Sequence, residues 1–264
     1  MTRTSNMHDD PPPILFVPGL FHGAWCYEEH FVPWFRARGY MAEAVRFRRD
    51  GQHRAPGLRT MSIKDFAADV GVTAARMPSA PVLVGHSMGG FTIQKYLEDH
   101  DAPAVVLLAS APPYGILSAA LREGARHPAR MLAAVATLSV YGLIKTPDRA
   151  RALFFSDGLA EQLVRKYQAE MTDDSFRVFL ELMGFIRPDV KKINSRGVPM
   201  LVVRGDEDRS ITWAYVADTA RIYGAEIHRF PGQAHDLMLE PDWEKVAERI
   251  DSFVRAKTTV AMAV

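Results

Sequence analysis

One short segment constrains the fold of this chain more than any other. The β-branched run Val82–Val84 leads into Gly85–Gly89, which reads Gly-His-Ser-Met-Gly, and a helix-compatible stretch follows at once. This order predicts a strand, a very tight turn and a helix, with Ser87 at the turn. Such a turn holds the serine hydroxyl at the positive end of the helix, where a developing oxyanion is stabilised. Ser87 is therefore a candidate nucleophile, and a glycine-rich turn without chemistry is the alternative.

The remainder of the chain alternates short apolar runs with helical patterns. The runs that predict buried strands are Ile14–Val17, Met41–Val45, Val82–Val84, Ala104–Ala109, Met200–Val203 and Glu226–Phe230. The helices predicted between them are Trp25–Arg38, Ile63–Arg76, Met88–His100, Trp213–Tyr223 and Trp243–Arg255. This alternation predicts an α/β fold, with a mostly parallel sheet of about six strands and helices on both faces. In such a sheet the chemistry gathers at the carboxyl ends of the strands.

The stretch 111–196 breaks the alternation, because only helical patterns occur in it. They cover Ile116–Arg126, Pro128–Ile144, Pro147–Phe154, Leu159–Met171 and Asp174–Ile186. A helical block that starts at the carboxyl end of a strand predicts a cap above the active-site edge, whereas helices that only flank the sheet are the alternative. Residues 14–110 and 197–264 then form the α/β core, and the polar, proline-rich segment 1–13 is predicted to be a disordered tail.

Composition narrows the possible partners. Apolar residues make up 48% of the 264 residues, charged residues 24%, and the formal net charge is +1. This balance is ordinary for a globular protein and gives no electrostatic reason to expect nucleic acid as a partner. The cluster of Arg46, Arg48 and Arg49 is interpreted as a solvated loop. The single cysteine excludes an internal disulfide, and no apolar run of about 18 residues predicts a membrane span. With no recognisable secretion signal, a cytoplasmic location is the expectation.

A serine hydroxyl needs a base, and the imidazole of histidine has the most suitable pKa. Among nine histidines, His235 lies in the loop between the last predicted strand and the last predicted helix. This loop leaves the same edge of the sheet as the turn at Ser87. His235 is therefore the candidate base, and a surface histidine without a role is the alternative.

The base in turn needs a carboxylate that fixes its tautomer. The strand Met200–Val203 runs into a loop with acids at Asp206, Glu207 and Asp208, and composition alone leaves the choice among them open. Asp236 adjoins His235, but neighbours in sequence rarely bring their side chains into the required approach. Asp236 is therefore rejected as the partner of His235.

The chain order of serine, acid and histidine resembles that of the α/β-hydrolase fold superfamily. The resemblance extends from Ile14 to the last predicted helix. In that superfamily the acid commonly ends a Gly-X-X-Asp turn, and residues 205–208 match this pattern. The resemblance thus implies Asp208 as the catalytic acid, with Asp206 as the second choice.

The loop after the first strand carries a second resemblance. Residues 18–25 read Pro-Gly-Leu-Phe-His-Gly-Ala-Trp, which is similar to the His-Gly-X-X-His-Gly-Ala-Trp loop of plant methyl esterases and hydroxynitrile lyases, with Pro18 in place of the first histidine. This likeness implies an oxyanion hole formed by the backbone amides of Leu20 and Met88. Phe21 and His22 would then edge the substrate pocket, although a packed or solvated His22 is an alternative.

These features predict a serine hydrolase that cleaves a carboxylic ester, or a lactone or thioester, of a small and partly apolar substrate through an acyl-enzyme. No metal and no organic cofactor are expected, because no metal-ligand cluster or dinucleotide fingerprint occurs in the sequence. The alternatives are a carbon–carbon bond hydrolase, a lyase, cofactor-free perhydrolysis and a ligand-sensing receptor. Asp236 stands where the similar hydroxynitrile lyases carry lysine, which counts against cyanide chemistry.

Overall fold

Six parallel strands form one sheet in the computed structural model, which describes residues 11–47 and 60–261. The strands are β1 (Ile14–Val17), β2 (Ala42–Ala44), β3 (Val82–His86), β4 (Val105–Leu108), β5 (Met200–Gly205) and β6 (Glu226–Phe230). They lie in the order β2-β1-β3-β4-β5-β6, and every neighbouring pair is parallel. The predicted α/β architecture is confirmed.

The central strands contribute to two hydrophobic cores, because successive side chains of a strand point to opposite faces. In β1, Ile14 and Phe16 join one core while Leu15 and Val17 join the other. All four side chains are fully buried. A strand covered on both faces needs apolar residues at every position, which explains why it reads as a continuous apolar run.

Helices cover both faces of the sheet and fill the stretch between β4 and β5. They are α1 (Trp25–Glu28), α2 (Phe31–Arg36), α3 (Ile63–Ala74), α4 (Met88–Tyr96), α5 (Leu117–Arg126), α6 (Pro128–Thr137), α7 (Pro147–Phe154), α8 (Glu161–Glu170), α9 (Phe176–Leu180), α10 (Val190–Asn194), α11 (Trp213–Tyr223) and α12 (Trp243–Ala261). Helices α2 and α12 contribute to the core that contains Phe16, whereas α3, α4 and α11 contribute to the core that contains Leu15.

Three predicted helices are interrupted or end early for local reasons that the backbone shows. The predicted helix Trp25–Arg38 is split into α1 and α2, because His30 leaves the helical conformation with φ −135° and ψ −56°. Helix α6 ends at Thr137 because Leu138 adopts a left-handed conformation with φ 49°. A π-helical turn with Gly184 at φ 101° follows α9, so the predicted helix Asp174–Ile186 is also interrupted.

The stretch 111–196 contains helices and no strand in the part of the chain that the structure describes. Phe154 of α7 and Tyr167 of α8 are buried in the same core as Phe16, which joins these helices to the α/β layer. Helices α5 and α6 instead expose apolar side chains, among them Leu121 and Leu132. The division into core and cap stays a prediction.

Two segments predicted from the sequence are described only in part. Residues 1–10 of the predicted tail, and Arg48 and Arg49 of the predicted basic loop, lie outside the described residues. Pro13, just before β1, is bonded to the sheet, because its carbonyl accepts a 2.8 Å hydrogen bond from the amide of Val82 in β3. Of the helices described, none combines the length and the apolar character that crossing a bilayer requires.

Candidate active site

Ser87 lies on a strained turn between β3 and α4. Its backbone has φ 52° and ψ −116°, a conformation that a residue with a side chain rarely adopts. Strand and helix approach so closely that a Cβ added to Gly89 would lie 2.1 Å from the carbonyl oxygen of Val17. A Cβ added to Gly85 would lie 2.7 Å from the carbonyl oxygen of Gly89. The surrounding glycines therefore permit the tight turn that presents Ser87, whose side chain is half-buried.

His235 meets a carboxylate in the loop after β5. Its Nδ1 donates a 2.9 Å hydrogen bond to Oδ2 of Asp208, and both side chains are buried. The other carboxylate oxygen of Asp208 accepts hydrogen bonds from the amides of Ser210 and Ile211 at 2.8 and 2.9 Å. Three donors thus hold Asp208 in place as an acceptor.

The acid loop is folded around a buried arginine. The guanidinium of Arg204 donates to the carbonyl oxygens of Asp208 and Ile211, both at 2.6 Å. Asp206 turns away from this centre and accepts a 2.7 Å hydrogen bond from the exposed Arg229. Asp208 is therefore the member of the acidic cluster that the structure brings to His235.

The environment of His235 favours its protonated form. Burial opposes a charge on the ring, but attraction to the Asp208 carboxylate and their hydrogen bond outweigh it, so the pKa of His235 is raised above 6.5. Asp236 acts in the same direction as Asp208, whereas the positive charge of Arg204 acts in the opposite direction. An imidazole with a raised pKa is a stronger base once it is deprotonated.

The turn at Ser87 and the loop at His235 are in direct contact. The ring of His86, the residue before Ser87, lies 4.6 Å from the ring of His235, centroid to centroid. Nε2 of His86 also donates a 3.2 Å hydrogen bond to the carbonyl oxygen of His235. Among the described residues, no hydrogen bond joins Oγ of Ser87 to His235. Catalytic hydrogen bonds are often long in free enzymes and shorten when substrate binds.

The loop after β1 lies against the same turn. A Cβ added to Gly19 would lie 3.1 Å from Cβ of Ser87. Within the described chain, the amides of Leu20 and Met88 donate to no protein acceptor, which leaves both available to a ligand. The next amide, that of Phe21, instead donates a 3.0 Å hydrogen bond to Oδ2 of Asp174 in the helical stretch. The amide of Phe21 is thus occupied, and the role of Leu20 as an oxyanion donor stays a prediction.

The ring of His22 is packed inside the protein. Its side chain is buried, Nδ1 donates a 2.7 Å hydrogen bond to the carbonyl oxygen of Leu20, and Nε2 lies 2.9 Å from Oδ2 of Asp236. Both ring nitrogens are engaged inside the protein, as expected for the packed alternative, and the place of His22 at the edge of the pocket stays a prediction. Phe21 is also buried, with its ring 6.0 Å from that of Phe154, and remains a predicted pocket residue.

Phe154 and His86 were given no role at the site from the sequence, and Asp236 was considered there only as a partner of His235 and rejected. Phe154, at the end of α7, stacks on the ring of His235 at 5.5 Å, and its carbonyl oxygen accepts a 3.0 Å hydrogen bond from the amide of Asp236. His86 and Asp236 lie beside the predicted nucleophile and base. Their adjacency to Ser87 and His235 in sequence was the available signal, but adjacency does not reveal which distant residue a side chain meets.

One group of side chains has the composition of a metal site. The ligand atoms of His22, His86 and Asp236 all lie within 4.8 Å of one another, and all three side chains are buried. Both ring nitrogens of His22, Nε2 of His86 and Oδ2 of Asp236 make the hydrogen bonds described above. The expectation that the protein needs no metal stays a prediction.

Comparisons with known proteins place the chain in a family. Residues 14–249 match the model of the alpha/beta hydrolase family. The chain therefore belongs to the alpha/beta hydrolase family, as the order of its serine, acid and histidine indicated.

The proteins and solved structures to which this chain is similar include esterases and a haloperoxidase. A probable esterase of rice, PIR7A, is 36% identical over 114 residues, which are 41% of this chain and 43% of the relative. The chain thus aligns with less than half the length of that relative. A non-heme haloperoxidase of Rhodococcus erythropolis is 24% identical over 83% of this chain and 86% of its own. The structure of an esterase from Exiguobacterium antarcticum superposes with a TM-score of 0.69 at 18% identity, over 93% of this chain and 92% of that one.

Proposed function

We propose that this protein is a serine esterase in which Ser87, His235 and Asp208 hydrolyse a carboxylic ester through an acyl-enzyme. The observation that carries the proposal is the buried 2.9 Å contact between His235 and Asp208, at the same edge of the sheet as the strained turn of Ser87. The esterase names of several relatives support the same reaction class.

In the first half of the reaction, Oγ of Ser87 attacks the ester carbonyl carbon while Nε2 of His235 takes the hydroxyl proton. The carbonyl electron pair moves onto oxygen, and the amides of Leu20 and Met88 stabilise the oxyanion. Asp208 stabilises the imidazolium that has formed. Collapse of the tetrahedral intermediate breaks the bond to the alcohol, which leaves with the proton from His235.

In the second half, water takes the place of the alcohol. His235 removes one proton from the water as its oxygen attacks the acyl carbon of the acyl-enzyme. The same two amides hold the second oxyanion. The bond to Oγ then breaks, Ser87 recovers its proton from His235, and the carboxylic acid leaves.

The surroundings of the site favour a substrate with an apolar part. Phe154 covers the ring of His235, and Phe21 lies beside Phe154. Both rings come from segments next to the proposed oxyanion hole, so an acyl or alcohol group bound there contacts hydrocarbon. A lactone or thioester presents the same carbonyl to Ser87 and belongs to the same proposal.

Perhydrolysis is a second candidate because of one observation, the likeness to a haloperoxidase over most of the chain. In this reaction hydrogen peroxide replaces water in the second half and the acyl-enzyme yields a peracid. Its residues are those of the esterase, so the two activities differ only in the nucleophile that reaches the acyl carbon. Carbon–carbon cleavage, lyase chemistry and ligand sensing remain alternatives without such an observation.

The test is turnover of p-nitrophenyl esters of increasing acyl length, with acetate plus hydrogen peroxide as a separate arm. We expect repeated turnover by the wild-type protein and a loss of about 10⁶ in kcat for Ser87→Ala, as for other serine hydrolases that act through a triad. Ser79→Ala, at an exposed serine, is the matched control and should retain full activity. A Ser87→Ala protein with wild-type turnover would refute the proposal.

A further inference from the structure

A buried polar cluster lies directly behind the proposed catalytic groups. Its members are His22, His86 and Asp236, whose side chains are at most 1% exposed. Each member is close in sequence to a proposed catalytic group. His86 precedes Ser87, Asp236 follows His235, and His22 lies two residues after Leu20. No step of ester hydrolysis uses these three side chains.

Hydrogen bonds within the cluster connect the three catalytic loops. His22 holds the carbonyl of Leu20 through Nδ1 and meets Asp236 through Nε2. His86 donates to the carbonyl oxygen of His235, and its Nε2 also lies 3.4 Å from Oδ1 of Asp236. The oxyanion loop, the nucleophile turn and the base loop are therefore joined through side chains that solvent does not reach.

The partners of His22 determine how many protons the cluster holds. A carbonyl oxygen only accepts, so Nδ1 of His22 must carry a hydrogen. If Nε2 carried none and Asp236 were ionised, two lone pairs would face each other at 2.9 Å without shielding by water. One further proton therefore lies between His22 and Asp236, on either atom.

His86 completes the cluster in its neutral form. Burial, followed by repulsion from His235 and His22, lowers the pKa of His86 well below 6.5. Its one hydrogen is on Nε2, because Nε2 faces the carbonyl oxygen of His235. His86 thus donates to the base loop and adds no charge beside it.

We propose that His22, Asp236 and His86 are positioning residues that fix the oxyanion loop, the base and the nucleophile at constant separation, and that His22 and Asp236 share one buried proton. The inference rests on the proposed esterase function. It assigns a role to Asp236 that is separate from that of Asp208, although the two carboxylates flank the same histidine. A misplacement of about 1 Å between such groups costs about 100-fold in rate.

Two substitutions at Asp236 test this assignment through the proton. In Asp236→Asn the amide N–H can donate to Nε2 of His22, so we expect kcat to fall less than about tenfold and KM to stay near its wild-type value. Asp236→Leu is similar in size but has no polar group to offer, and we expect kcat to fall about 100-fold with little change in KM. Asp242→Asn and Asp242→Leu, at an exposed aspartate paired with Lys245, are the matched controls.

The proton itself supplies a readout that does not depend on turnover. The wild-type protein should show a far-downfield proton resonance that persists in Asp208→Asn, because it arises from His22 rather than His235, and that disappears in Asp236→Asn. If Asp236→Leu does not fold, this resonance still tests whether His22 and Asp236 share a proton. Its absence from the folded wild-type protein would overturn the shared proton.

The remaining outcomes separate this inference from the proposed function. If Ser87→Ala is inactive while a folded Asp236→Leu keeps the wild-type kcat, the esterase stands and the positioning role is refuted. If Ser87→Ala keeps full activity, the esterase fails whatever the resonance shows. A stoichiometric divalent metal in the purified protein, lost in Asp236→Asn, would overturn the shared proton because the metal would occupy its place.

Discussion

Two buried aspartate–histidine pairs lie side by side in this protein, Asp208 with His235 and Asp236 with His22. Both contacts are 2.9 Å long, and all four side chains are nearly or fully inaccessible to solvent. They differ in what the second ring nitrogen reaches. In the first pair it makes no hydrogen bond to any described residue, and in the second it is bonded to the carbonyl of Leu20. We therefore propose that an aspartate–histidine pair can act as a general base or as a structural link between loops. The partner of the second ring nitrogen distinguishes the two roles.

The two carboxylates also differ in their support. Asp208 keeps the amides of Ser210 and Ile211 as donors besides His235. Among the described residues, the side chain of Asp236 has His22 as its close partner, and beyond it the longer 3.4 Å approach of His86 Nε2. If the histidine of each pair is removed, Asp208 therefore keeps two backbone hydrogen bonds, whereas Asp236 keeps only the 3.4 Å approach of His86 among the described residues. We therefore expect the first pair to tolerate the change of charge that the proposed reaction requires, and the second to depend on keeping both of its members.

The largest expected effect breaks the first pair without changing its shape. Asp208→Asn should lower kcat by about 10⁴, because the amide stabilises the wrong tautomer of His235 and no imidazolium. The comparison is with Asp206→Asn, the same change two residues away at a carboxylate bonded to Arg229. Steady-state kinetics on a p-nitrophenyl ester measure both variants. If Asp206→Asn were the damaging change, the assignment of the acid would be wrong.

Stability should rank the two pairs in the opposite order. His22→Ala removes the close partner of the buried Asp236 and should lower the free energy of unfolding by about 3–5 kcal/mol. His235→Ala leaves Asp208 with two amide donors and should cost about 1–2 kcal/mol. Urea unfolding of both variants checks the ranking. Equal losses of stability would remove the proposed difference between the pairs.

A third buried carboxyl, Glu240, sharpens the comparison because the structure gives it no imidazole among its described partners. Its Oε1 accepts a 2.8 Å hydrogen bond from the amide of Ser156, and burial, aided by the charge of Asp236, raises the pKa of Glu240 to about 7. Below about pH 4.5 the carboxyl is protonated in both the folded and the unfolded chain, so its ionisation does not change the free energy of unfolding. Between that pH and about 7 only the unfolded chain loses the proton, which destabilises the fold as the pH rises.

Glu240→Gln removes this dependence on pH. Relative to the wild-type protein, the variant should gain up to about 3 kcal/mol in free energy of unfolding between pH 4.5 and pH 8. Urea unfolding at several pH values measures the gain. A difference between the two proteins that stays constant with pH would contradict the buried, protonated state of Glu240.

The smallest expected effect concerns the pH dependence of activity. Because Asp208 raises the pKa of His235, kcat/KM of the wild-type protein should rise with pH through a midpoint above 6.5, as the imidazolium loses its proton. In Asp208→Asn the midpoint should move to lower pH, since burial and the charge of Arg204 then act with less opposition. Residual activity measured from pH 5 to 9 tests this shift, and a midpoint that moves upward would contradict it.

The sequence predicts the first pair much better than the second. Parallel strands buried on both faces leave continuous apolar runs, and the loops that follow them hold Ser87, Asp208 and His235 at one edge. The family pattern was still needed to choose Asp208 among three acids, because composition treats them alike. Helix ends such as that at Thr137 depend on the left-handed Leu138, which no local signal marked.

The second pair shows what local reasoning leaves out. Asp236 and His22 are 214 positions apart, and their contact depends on how two loops pack. A sound local argument removed Asp236 from consideration as the partner of His235, but gave no alternative partner. His22 was predicted to edge the pocket because its loop resembles that of known hydrolases. Such a resemblance concerns the backbone of the loop and does not show which residues the imidazole ring contacts.

The central claim is that three separate loops converge to activate Ser87, and covalent labelling tests it most directly. The protein is treated with a fluorophosphonate, and the adduct is located by peptide mass spectrometry. The account predicts one phosphonyl group per chain, on Ser87, with a labelling rate that falls by at least about 10³ in His235→Ala. A stable adduct on another residue, or a wild-type labelling rate in His235→Ala, would contradict it.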